Sequence, residues 1–96
     1  MTRRPRHPKP DANQQRMVEA LRQCGLVCHD VSALGGDCLD LFVGDPMTGQ
    51  FVQVEVKTDS GTLTEGEAAY LDRYGQQLPI VVARRAEDVL AALGRV

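Results

Sequence analysis

At 96 residues, 43% hydrophobic and 25% charged with a formal net charge of −2, the chain has the size and balance of one globular domain. A chain this short buries only ~60–65% of its unfolded surface, so its core is modest and dimerisation would be a natural supplement. No apolar run approaches the ~20 residues of a membrane span, and no apolar stretch of the secretory type follows the basic opening, so the default compartment is the cytoplasm.

Charge is unevenly placed. Residues 1–10 hold Arg3, Arg4, Arg6 and Lys9 and no acid, while the other 86 residues carry 7 bases against 13 acids, a net of −6. Pro5, Pro8 and Pro10 predict that this arm is extended rather than helical. It reads either as a flexible phosphate-binding tail or as a leader with no specific role. Residues 11–96 form the single domain.

A helix begins after a cap at Asp11 or Asn13 and runs to about Cys24. Met17, Val18, Leu21 and Cys24 make its apolar stripe, with Gln14 on the same face and Glu19 nearly opposite, in solvent. Gly25 ends the helix as its C′ residue. Leu26 to Ser32 reads as a strand carrying Val27 and Val31. His29, within it, reads as structural rather than catalytic. Three cysteines, Cys24, Cys28 and Cys38, cannot all pair with one another. With His29 they could suggest zinc, but the spacing fits neither usual paired pattern. Core thiols are the better reading.

Gly35-Gly36 marks a loop of close backbone approach. Cys38 to Val43 is the second strand. Gly44 to Gly49 is dense in turn formers, so the next strand, Phe51 to Lys57, should close an antiparallel hairpin. Side chains alternate between faces with period two. Val52, Val54 and Val56 therefore share a core face, and Gln53, Glu55 and Lys57 share the other. Asp40 shares a face with Glu55 if paired positions in the hairpin sum to an odd number, for example Val43 opposite Val52. Removing charges from water costs several kcal/mol unless compensated. Two carboxylates and an amine on two apolar strands are therefore an expensive arrangement, and a divalent cation held by Asp40 and Glu55 would offset it.

After a polar loop, Thr64 and Glu67 match a capping box. The helix that follows reaches about Tyr74, with Leu71, Tyr74 and Ala68 or Ala69 inward, and Gly75 stops it. Pro79 to Ala83 reads as a short strand buried on both faces. Ala86 to Leu93 is a last helix, with Val89, Leu90 and Leu93 inward and Glu87 and Asp88 in its first turn. The order α-β-β-β-α-β-α predicts an α/β (α+β) fold, a mixed sheet of about four strands with flanking helices.

Gly35-Gly36-Asp37-Cys38-Leu39-Asp40-Leu41, then Val54-Glu55-Val56-Lys57 and Leu63-Thr64, resembles the PD-(D/E)XK nuclease superfamily, and most of all its small phage and bacterial VRR-NUC members, relatives of Holliday junction resolvases. The resemblance runs from about Asp11 to Leu93. It implies a restriction-endonuclease-like core in which Asp40 and Glu55 hold Mg²⁺ or Mn²⁺, joined by the backbone carbonyl of Val56, while Lys57 orients or deprotonates water or neutralises developing charge. Hard oxygen ligands suit Mg²⁺. Leu39 stands where relatives often have Pro. Gln14 stands where they often place a Glu, which puts a second metal in doubt. Glu67 matches a helix-start Gln or Glu near the site in relatives and serves equally well as a cap. The implied activity is metal-dependent hydrolysis of phosphodiester bonds in branched or structured DNA by a homodimer, with Arg3, Arg4, Arg6 and Lys9 on DNA. The alternative is a non-catalytic nucleic-acid-binding module that keeps the fold.

Overall fold

The computed structural model describes residues 12–34 and 39–95. The basic arm, the cap expected at Asp11 and residues 35–38 lie outside them. The elements are α1 (Ala12–Gln23), β1 (Val27–Asp30), a 3-10 turn (Ser32–Leu34), β2 (Leu41–Gly44), β3 (Phe51–Val56), α2 (Glu65–Tyr74), β4 (Ile80–Ala83) and α3 (Ala86–Ala92). This is the expected α-β-β-β-α-β-α order. The strands form one mixed sheet in the order β1-β2-β3-β4. The first three run antiparallel, and β4 is parallel to β3.

Alternation sets the two faces. Cys28, Leu41, Val43, Val52, Val54, Val56 and Ala83 point to one side, where Met17 and Leu21 of α1, Val89 of α3 and Leu93 just after it bury them. Each Leu or Val fully buried in this way contributes ~1.5–3 kcal/mol. The hairpin pairs Leu41 with Val54 and Val43 with Val52, the odd-sum register that keeps the valines on the core and the charged residues together on the opposite face. Among the described residues, no helix is long and apolar enough to cross a membrane.

Local chemistry explains the ends of α1 and α2. Gly25, at φ 84°, lets the Leu26 N–H reach the Leu21 carbonyl at 3.2 Å and its own N–H reach that of Arg22 at 3.0 Å. That is a Schellman closure with Leu21 and Leu26 buried beside it. Thr64 and Glu67 form the predicted reciprocal cap of α2. Gly75 ends α2 for a different reason from Gly25. Its φ is −63°, but a Cβ there would lie 2.5 Å from the Leu71 carbonyl oxygen.

Several expectations are corrected. Asn13 lies inside α1 rather than capping it. Cys24 follows the helix and is exposed, because the closure at Gly25 turns the chain before another core position is reached; Cys28 is buried as expected. β2 begins at Leu41, later than Cys38. β4 is an edge strand with only Ala83 buried, because it has a neighbour on one side alone and thin cover on its second face. The helix α2, expected to pack inward, likewise has no buried residue. Leu71 and Tyr74 are half-buried, and Ala68 and Ala69 are exposed.

Candidate active site

The end of β3 and the start of β2 bring the acids together. Asp40 sits one residue before β2, where the chain leaves the ladder: its N–H bonds to the Val54 carbonyl at 3.0 Å. Its carboxylate then takes the place of a backbone acceptor, receiving the Val56 N–H at Oδ2, 2.9 Å away. In an extended strand a residue's N–H and C=O point to the same side, so the Val56 carbonyl faces the same edge as the Asp40 side chain. Glu55 is 3% exposed and hydrogen-bonds with both Asp40 and Glu67.

Lys57 Nζ is 3.5 Å from Glu55 Oε2 and 2.8 Å from Glu67 Oε1. The same Glu67 oxygen accepts the Thr64 N–H at 2.8 Å, so Glu67 serves its helix cap and Lys57 together. The backbone of Lys57 is also fixed. Its N–H donates to Ala83 O at 3.0 Å, and its carbonyl accepts from Asn13 Nδ2 at 3.1 Å.

The electrostatics follow from crowding. Burial first, then the hydrogen bond with Glu67 and repulsion by Asp40 and Glu67, push Glu55 up to about 8 against an ordinary 4.5. Burial also raises Asp40, against the opposing pull of the Val56 N–H and Glu55. Burial alone would raise Glu67, but the Lys57 ammonium, the Thr64 N–H and the Glu55 carboxyl outweigh it and hold Glu67 down at about 2. Burial opposes the charge on Lys57, yet the pairing with Glu67 and Glu55 wins and raises its pKa. The free cluster therefore holds an ammonium, two carboxylates and a carboxyl that keeps its proton.

A desolvated carboxyl that holds a proton between two carboxylates is short of positive charge, and that shortage fits a divalent cation. Asp40, Glu55 and the Val56 carbonyl supply hard oxygen donors of the kind Mg²⁺ takes, alongside waters and phosphate. Among the described residues, no three His, Cys, Asp or Glu side chains form a group that could hold a metal. The zinc reading gains nothing from the exposed Cys24 and the buried Cys28, and Cys38 lies outside the described residues.

Gln14 is buried on α1 and donates to Asp30 Oδ2 at 2.9 Å. Asp30 was not singled out by the sequence reading, although Asp-Val-Ser is turn chemistry. Its Oδ1 accepts from the Ser32 N–H and hydroxyl at 3.0 and 2.6 Å. Burial opposes its charge, but those bonds and the one from Gln14 keep its pKa low. His29 is exposed on the edge strand β1. Asn13 and Arg84 were also missed. The four cations proposed for DNA, Arg3, Arg4, Arg6 and Lys9, lie outside the described residues.

The arrangement matches a known fold. A solved structure titled "VRR_NUC domain" superposes with a TM-score of 0.65 at 20% sequence identity, covering 84% of this chain and 89% of its own. No family model matches the chain, and no curated protein matches it. The chain therefore has a VRR-NUC nuclease-like fold.

Proposed function

We propose that this chain is a divalent-metal-dependent DNA endonuclease that hydrolyses phosphodiester bonds in branched or structured DNA. The observation that carries the proposal is the convergence of Asp40, Glu55 and Lys57 at the end of β3, on a fold shared with a VRR_NUC domain. Asp40, Glu55 and the Val56 carbonyl would hold Mg²⁺ or Mn²⁺. A bound cation would supply Lewis-acid charge for the phosphate oxygens and make water easier to ionise. Lys57, held charged above all by Glu67, would donate to developing negative charge rather than take a proton. Glu67 aims the ammonium.

The substrate class draws support from the aromatic residues. The chain has two Phe, two Tyr and no Trp. Phe42 and Phe51 pair on the sheet face that carries Glu55, with ring centroids 5.1 Å apart. Tyr70, whose ring meets that of Tyr74 at a tilt with centroids 5.0 Å apart, bonds Gln53 on that same face. Phe51 is 47% exposed. Aromatic faces beside a phosphate site suit unpaired bases, each stack being worth ~1–3 kcal/mol. A homodimer fits a junction with two strands to cut.

Cleavage assays with Mg²⁺ and Mn²⁺ over junction, flap, nicked, single-stranded and linear duplex DNA test the proposal. Asp40→Asn and Lys57→Ala should each lower kcat by at least ~10²-fold, the scale of losing a transition-state donor, with the fold retained by circular dichroism. Full activity in either variant rejects the mechanism. Gln14, an amide engaged with Asp30, and the net −6 body favour the second reading, a binding module without catalysis. DNA binding with no cleavage of any substrate in Mn²⁺ would select it.

A further inference from the structure

The backbone carbonyls of the segment between Lys57 and α2 are gathered by one side chain from the far side of the sheet edge. The Arg84 guanidinium Nη1 donates to the Thr58 carbonyl, to that of Gly61 at 2.9 Å and to that of Asp59 at 3.5 Å. The Gly61 N–H closes the turn on Thr58 O at 3.1 Å. This turn folds back on the catalytic amine's own stem: a Cβ added at Gly61 would lie 3.6 Å from Lys57 Cδ. Arg84 is itself held, its N–H bonding Asp88 Oδ2 at 2.8 Å.

The helix beyond the turn needs such a tether. With no buried residue, α2 has no core contact to fix its position. What ties it to the sheet is polar: Glu67 on Lys57 and the Tyr70 hydroxyl on Gln53 at 3.1 Å. The turn held by Arg84 sets where Thr64 begins the helix, and so where Glu67 meets the ammonium.

We propose that Arg84 is a positioning residue for Lys57, clamping the Thr58–Gly61 turn so that Lys57 and Glu67 keep their geometry. This rests on the nuclease reading above. Misplacing a catalytic group by about 1 Å can cost ~10²-fold in rate. Arg85 is the natural control, because among the described residues its guanidinium bonds the exposed Asp59 carboxylate at 2.7 Å and none of the turn's carbonyls.

The test compares full-length wild type, Arg84→Ala, Arg84→Lys and Arg85→Ala by steady-state cleavage and by amide hydrogen exchange. In Arg84→Ala, kcat should fall ~10–100-fold with KM within about twofold, and exchange should quicken from residue 58 to residue 71 while β1, β2 and α1 keep their protection. Arg84→Lys, which retains one donor centre, should recover part of kcat. Arg85→Ala should match wild type. An unchanged kcat in Arg84→Ala overturns the proposal. So does exchange that rises equally throughout the sheet, or a loss confined to KM and shared by Arg85→Ala, which would mean a phosphate contact. If the wild type cuts no DNA, the nuclease reading falls, and the exchange comparison still decides whether Arg84 holds the turn.

Discussion

Glu55 keeps a proton at neutral pH because burial and two neighbouring acids disfavour its anion. The sign for stability follows. A carboxyl raised from 4.5 to about 8 on folding contributes fully below about 4.5 and loses that contribution as pH rises through about 8. Glu67 runs the other way: lowered to about 2, it contributes above 4.5 and loses the contribution as pH falls toward 2. The metal-free protein should therefore lose several degrees of melting temperature between pH 5 and pH 8.5, at ~4–8 °C per kcal/mol for a domain of this size. Glu55→Gln should flatten that decline in a calorimetric series. A decline equally steep in the variant would show that the proton is held elsewhere. That Asp40, Glu55 and Lys57 converge was legible in the sequence because alternation of period two and hairpin register are properties of residue order. Asn13 and Arg84 were not. Their partners are backbone carbonyls 44 and 23–26 positions away, and any residue supplies a carbonyl.

Elements were legible where local chemistry decides them. The Thr64–Glu67 cap and the Gly25 closure are short-range bonds written in adjacent residues, and both formed where expected. Burial of an element depends instead on what lies across from it. For that reason β4 read as doubly buried when it is an edge, and α2 read as packed when it has no buried residue. Gly75 shows the difference at a single site. Its φ of −63° suits alanine, and Gly→Ala at a compatible φ stabilises by ~0.4–1 kcal/mol through the unfolded chain. A Cβ 2.5 Å from a backbone oxygen must displace the end of the helix, and that cost outweighs the gain. Gly75→Ala should lower the melting temperature by a few degrees rather than raise it. The variant should also weaken the Tyr70–Tyr74 contact and the Tyr70 bond to Gln53, read as faster exchange in the last turn of α2.

On the scale of the whole molecule, the core lies on one side of the sheet and the polar site on the other, so chemistry and stability draw on different faces. The C-terminal end of the described chain is stitched to the turn after β2 and to the end of α1 by a bidentate pair, Arg95 Nε to Asp45 Oδ2 at 3.0 Å and Nη2 to Oδ1 at 3.2 Å, with Arg95 Nη1 on the Cys24 carbonyl at 2.9 Å. Charge is the quantity that must cross the whole chain for DNA to bind. Beyond residue 10 the body is net −6, so long-range attraction to a polyanion has to come from the bound cation and from Arg3, Arg4, Arg6 and Lys9. Replacing those four with alanine should weaken DNA binding at low salt and raise KM, because the loss lies in encounter rather than in the chemistry at Lys57. The slope of log affinity against log salt should shrink by ~0.9 for each phosphate contact removed from duplex DNA, or ~0.7 on a single strand. Fluorescence anisotropy across a salt series, with Ca²⁺ in place of Mg²⁺ to suppress cutting, measures it. Identical slopes for the two proteins would mean the arm never touches phosphate, and the attraction would then have to come from cations of the folded body such as Arg73, exposed beside Tyr74 on the aromatic face.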